Sequence, residues 1–172
     1  MPLSTMKELF KETISDQYNA ENQLIKALPR MSKSATSSQL RSAFNEHLEQ
    51  TIVHAKRLED VCKGLGIDPS GKVCKAMVGL VEEADELGRE GKSSPVLDAG
   101  LIACAQKVEH YEIAGYGTLV AYAEMLGYGN AVDVLRQTLS EEHNADSRLN
   151  QIAMNEVNKE AIGLRSNHAE VI

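Results

Sequence analysis

Four glutamates in this chain occupy places where an α-helix would be expected to carry aliphatic side chains. Glu21 follows Phe10, Ile14 and Gln17 and precedes Leu24 and Leu28 at intervals of three or four residues. At 100° per residue it lies within about 20° of Ile14, in the middle of an apolar seam. Glu109, Glu112 and Tyr116 recur at i, i+3 and i+7, among the directions of Ile102, Ala105 and Ile113 rather than opposite them. Glu142 falls between the directions of Leu135 and Leu149, with Asp146 one turn further on. His47, Thr51 and His54 follow one edge of a fourth apolar stripe, with Gln50 beside them.

Carboxylates gathered in a core cost several kcal/mol per ion unless they are protonated, paired with cations or neutralised by metal. No Lys or Arg lies on these stripes, which leaves protons or a metal. Two divalent cations bridged by carboxylates would neutralise four Glu directly. Hard oxygen donors with one or two imidazoles suit iron or manganese better than a thiolate metal. In that reading Glu21, Glu112 and Glu142 are bridging or terminal ligands. Glu109 and Asp146 are flexible terminal ligands, and His47 or His54 is the nitrogen donor. Tyr18 and Tyr116 are candidate electron or proton relays. Each glutamate alone is equally readable as half of a solvated helix pair, and Glu82, Glu83 and Glu141 are expected on solvent faces. The coincidence of Glu21, Glu109, Glu112 and Glu142 carries the metal reading.

The elements that must position these residues are helices throughout. Residues 3–31 keep a 4, 3, 4, 3 apolar spacing, and residues 37–63 carry Leu40, Phe44, Leu48, Thr51, Ala55, Leu58 and Cys62 on one stripe. Gly64, Gly66 and Pro69 stop that second helix. The third long helix spans 94–126, opening on a Ser94 cap followed by Pro95, and the turn at Gly127-Tyr128-Gly129-Asn130 leads into a fourth over 131–159. Between the second and third lies a connection of about 30 residues, helical over 72–89. Short first and last loops make antiparallel pairs, and the long middle link lets the second and third long helices run parallel. Counting outward from the turns sets Glu21 level with His47 and Glu112 level with Glu142. The expected domain is a single bundle over 1–160, with residues 161–172 as a frayed tail.

Composition narrows the functional classes. The 172 residues are 42% hydrophobic and 25% charged, the size and balance of one folded domain. The net charge of −7 opposes binding to a phosphate backbone, so no nucleic acid is expected. No apolar run reaches the roughly 20 residues that cross a bilayer, and the first residues lack an export signal. A soluble, cytoplasmic protein with no membrane partner is expected. Cys62, Cys74 and Cys104 are scattered in helical sequence and are read as reduced thiols.

Four phrases resemble the YciE/YciF family of ferritin-like bacterial stress proteins: SDQYNAENQL at 15–24, HLEQT at 47–51, AQKVEHYEIA at 105–114 and LSEE at 139–142. The resemblance implies an all-α, ferritin-like four-helix bundle with one long crossover containing a short fifth helix. It also implies kinship with rubrerythrin and other di-iron carboxylate proteins, a homodimer, a cytoplasmic setting and expression under stress. Glu21 matches the single-Glu helix of that class, and Glu109-x-x-Glu112 resembles rubrerythrin's paired carboxylates. The Glu-x-x-His pairs of the wider class are not present, since Glu49 is followed at i+3 by Ile52 and Glu142 by Ala145. His47, His54 and Asp146 are the nearest substitutes. The function expected is a stress-associated di-metal protein, with two irons per chain or manganese, that oxidises Fe(II) or handles O₂ or peroxide as an oxidase, peroxidase or catalase-like enzyme. The alternative is a metal-free helical dimer acting as a structural or interaction module in a stress response.

Overall fold

The computed structural model describes residues 3–163. The expected tail therefore lies, beyond residue 163, outside the described residues. Helix α1 (Met6–Ser34) starts three residues later than the apolar spacing alone indicates, because Thr5 and Glu8 form a reciprocal capping box at its N-terminus. It continues through Pro29 to Ser34, past the expected end at residue 31. Helix α2 (Ser38–Leu65) is capped by Ser37 and ends on Gly66, whose positive φ of 66° supplies the left-handed stop. The crossover carries α3 (Lys75–Glu90). Helix α4 (Pro95–Leu126) begins on the expected Ser94 cap and ends on Gly127, and α5 (Gly129–Ile152) follows at once. A single π-helical turn, Ala153–Val157, interrupts the fourth long helix before α6 (Asn158–Ala161).

The helices close into a ring in which α1 packs on α2, α2 on α5, α5 on α4 and α4 on α1. Contacts along each seam fix its direction. Phe10 meets Tyr128, Gln17 reaches Glu112 and Thr36 reaches Asp98, so α1 runs antiparallel to α4. Glu46 pairs with Arg148 and Arg57 with Glu141, so α2 runs antiparallel to α5. The parallel, diagonal relation of α2 to α4 follows, as the long crossover requires. Helix α3 lies outside the ring on α1 and α4, tied by Arg30–Asp85, Lys107–Glu83 and the Cys74–Tyr111 contact.

Two apolar clusters fill the ring. One holds Leu24, Leu28, Phe44, Leu101 and Leu149 at one end, and the other holds Phe10, Ile14, Leu58, Leu119 and Leu135 at the other. Glu21, Glu109, Glu112 and Glu142 form the layer between them. Cys62, Cys74 and Cys104 are free, buried thiols, and burial pushes each above its ordinary titration range. No helix among the described residues is long and apolar enough to cross a membrane.

Candidate metal centre

Helical periodicity delivers each donor to the bundle interior. On α4, Glu109 and Glu112 are i, i+3 neighbours with Tyr116 one turn beyond; on α2, His47, Thr51 and His54 recur at i, i+4 and i+7. With Glu21 from α1 and Glu142 from α5, all are buried, and Glu21, His54, Glu112 and Glu142 have no measurable exposure.

The donors form two groups, each able to place one ligand atom per residue within 4.8 Å of all the others: His47, Glu109, Glu112 and Glu142 in one, and Glu21, His54 and Glu142 in the second. Glu142 belongs to both. Its two oxygens face opposite ways, with Oε2 lying 3.9 Å from His47 Nε2 and Oε1 lying 2.8 Å from His54 Nδ1. His47 Nε2 is 3.2 Å from Glu109 Oε1, and His54 Nδ1 is 3.7 Å from Glu21 Oε1. The imidazoles are 6.5 Å apart, centre to centre.

The polar atoms at the heart of this layer are not satisfied by protein. Glu21 Oε2, Glu109 Oε2, Glu112 Oε2, both Glu142 oxygens, both His47 nitrogens and His54 Nδ1 are buried without a hydrogen bond. Imidazole and carboxylate approach closely in several places but are not aligned as donor and acceptor. Asp98, another fully buried carboxylate, shows the contrast. It accepts from Thr36 N at 2.7 Å, Ser37 N at 2.8 Å and the Thr36 hydroxyl, and so pins the α1–α2 connection to the start of α4. One buried carboxylate is saturated by protein donors, while four others converge with open lone pairs, the arrangement expected of a cation-binding layer.

The electrostatics follow. Burial raises the Glu21 carboxyl to about 8, with Glu142 adding to the shift, and burial likewise raises Glu109 and pushes Glu112 well above the carboxylate range. Burial opposes charge on His47, but Glu109, Glu142 and Glu21 outweigh it and lift the imidazole to about 10; His54 is raised in the same way. Metal-free, the layer therefore retains protons that divalent cations would displace.

A second ring of side chains orients the donors. The Tyr116 hydroxyl donates a short hydrogen bond to Glu21 Oε1, and Gln17 Nε2 donates to Glu112 Oε1 at 3.3 Å. His54 Nε2 meets Glu141 Oε2 at 2.7 Å, and Glu141 is held in turn by Arg57 Nη1 at 2.5 Å and by Gln137 at 3.1 Å. Burial alone would raise the Glu141 carboxyl, but Arg57, His54 and Gln137 hold it down to about 2. The solvent-face expectation for Glu141 is thus corrected: it is half-buried and anchors His54, because α2 brings Arg57 and His54 together against α5.

Of the residues expected as ligands, Glu21, His47, His54, Glu109, Glu112 and Glu142 come together. Both imidazoles take part, where sequence left one nitrogen donor open between them. Glu21 pairs with His54 rather than with His47, the residue counted to its level. Asp146 stands apart, accepting from Gln106 Nε2 at 3.1 Å and lying 3.6 Å from the exposed His110. Tyr116 touches the cluster, whereas Tyr18 packs beside the apolar cluster at the Phe10 end. Sequence gave no sign of Gln17 as a partner of Glu112, although its place in the apolar seam marked it as interior.

A family model described as Domain of unknown function (DUF892) matches residues 5–162. Protein YciF of Escherichia coli strain K12 is 43% identical over 162 residues, covering 94% of this chain and 98% of YciF. The chain belongs to the YciF (DUF892) family. This family member is also close in structure to solved relatives. The crystal structure of the E. coli stress protein YciF matches with a TM-score of 0.88 at 42% identity, covering 91% of this chain and 99% of that one. YcfI from Rhodopseudomonas palustris matches at 0.84 and 45% identity, covering 89% and 98%.

Proposed function

We propose that this YciF-family protein is a stress-associated ferritin-like bundle that binds two iron or manganese ions in the layer between its apolar ends and uses them to oxidise Fe(II) or to handle O₂ or peroxide. The observation that carries the reading is the convergence of four buried carboxylates and two imidazoles with unsatisfied atoms around a shared Glu142.

His47, Glu109 and Glu112 would hold one ion, Glu21 and His54 the other, and Glu142 both. A bound pair of redox-active ions supplies two electrons, the number that takes O₂ with two protons to hydrogen peroxide, or peroxide with two protons to two waters. The chain's own residues set the environment. The Tyr116 hydroxyl holds a proton against Glu21, the apolar clusters on either side exclude bulk water, and Glu141 fixes the ring of His54. The setting is cytoplasmic and the assembly a homodimer in this reading.

The metal-free alternative also has an observation in its favour. His47 lies 3.2 Å from Glu109, and an imidazolium there would offset one carboxylate without any ion. Metal analysis after purification without chelators separates the two. About two ions per chain, or uptake of Fe(II) or Mn(II) to about that level, is expected of the di-metal centre. Well below one ion per chain with no uptake would leave the structural module.

A further inference from the structure

A cavity of about 150 Å³ opens between α2 and α5 and runs inward to His47 and Glu109. Its walls are mainly aliphatic and aromatic, with Leu24, Leu28, Phe44 and Leu149 prominent, and Gln50 and Asn144 add polar groups. It exists because Ala43, Ala105 and Ala145, from three different helices, face it where larger side chains would close it. Protein interiors are close-packed, and an unfilled void of this size is destabilising. Its outer rim is polar and includes the Glu46–Arg148 ion pair, both partners half-exposed. Its inner end is where the acidic layer is least sealed. His47 keeps 7% exposure, whereas Glu21, His54, Glu112 and Glu142 keep none.

We propose that this cavity is the access chamber by which dioxygen, a small uncharged apolar molecule, reaches the His47–Glu109 side of the acidic layer. Apolar walls around a space of this volume take up ligands such as xenon or benzene. A cation gains nothing along the Leu24–Leu28–Phe44–Leu149 walls, and peroxide would lose its hydrogen bonds to water there. A long acyl chain exceeds the space. Dioxygen forfeits almost no hydration on entering, and it is an oxidant that the proposed centre consumes. The inference rests on the di-metal reading for its purpose, but the cavity can be probed apart from it.

The probe is xenon on the whole protein. Crystals under xenon pressure are expected to show a site between Phe44, Val108 and Leu149, and in solution xenon is expected to slow Fe(II) oxidation by O₂ competitively without changing metal uptake. Ala145→Leu, with Ala105→Leu as a second variant should the first not fold, is expected to abolish the xenon site and slow oxidation by about tenfold or more, one decade of rate. Metal stoichiometry should stay at the wild-type value. Absence of xenon from the cavity, or wild-type oxidation rates in a folded variant that has lost it, would overturn the inference while leaving the metal reading intact. Xenon binding with no metal uptake would instead overturn the di-metal reading, and with it the chamber's role as a route to metal.

Discussion

His54 Nδ1 lies 2.8 Å from Glu142 Oε1 across the α2–α5 seam, and neither atom has an aligned hydrogen-bond partner. A buried imidazole and a buried carboxylate this close would normally satisfy one another, and their misalignment leaves both atoms open to the ion of the proposed centre. Glu142→Ala removes the only residue common to both donor groups. Metal content is expected to fall from about two to below one per chain, with retained helicity, as measured by elemental analysis and circular dichroism.

Glu112 is the most enclosed of the carboxylates on α4, and its charged form is opposed by burial and then by Glu21 and Glu142. In chelator-treated protein, Glu112→Gln is expected to leave unfolding free energy unchanged or raise it by about 1 kcal/mol, since the amide replaces a carboxyl that must take up a proton to be buried. In the presence of Mn(II) the same variant is expected to lose the metal-dependent gain in stability seen for wild type. Urea denaturation with and without metal reads both.

Stability of the metal-free protein should depend on pH in a definite direction. Glu21 titrates near 8 in the folded chain against 4.5 ordinarily, and His47 near 10 against 6.5. The folded state therefore binds more protons than the unfolded state between roughly pH 5 and 10, so stability falls as pH rises across that window. Metal ions compete with the same protons, and binding should release them. Thermal unfolding across pH 5–9 is expected to show a declining melting temperature without metal and a flattened or reversed slope with Mn(II). A rising melting temperature in the metal-free protein would contradict the assignment.

Glu141 touches the candidate site through His54. Glu141→Ala leaves the ring free to rotate and Arg57 without its carboxylate, and is expected to weaken metal affinity by about 10- to 100-fold while the fold persists. Asp98→Ala is the structural counterpart. It should cost about 2 kcal/mol or more, because the Thr36 and Ser37 amides lose their acceptor, yet leave metal stoichiometry unchanged. Measured together, the two variants separate a site-orienting carboxylate from a fold-pinning one.

Gly115 gives Gln17 room to reach Glu112, since a Cβ at this position would lie 3.1 Å from Gln17 Cδ and closer still to its amide oxygen. Gly115→Ala gains helix propensity of about 1 kcal/mol and loses that placement. Near-neutral stability with metal affinity reduced by about tenfold is expected, and Gln17→Ala should reproduce the affinity loss without the propensity gain. Isothermal titration with Mn(II) measures the change.

The sequence by itself determined the helices and the direction each side chain takes around them. The cap at Ser94, the stops at Gly66 and Gly127 and the 3.6-residue period are local properties, so Glu21, Glu109, Glu112 and Glu142 were legible as interior residues from the sequence. What only the tertiary structure decided is everything measured across a seam. A helix period fixes angle but not the axial offset or rotation of a neighbouring helix, and small shifts in either exchange one partner for another. Hence level counting placed Glu21 at the height of His47 without naming its partner, and packing sets its carboxylate beside His54. Asp146, one turn from Glu142 on the same helix, meets Gln106 instead of the cluster. Glu141 reads as solvent-facing from α5 alone and becomes the anchor of His54 once Arg57 arrives from α2. The apolar cavity at His47 is of the same kind, because a void is the space that side chains from several helices fail to fill, and no single helix encodes it.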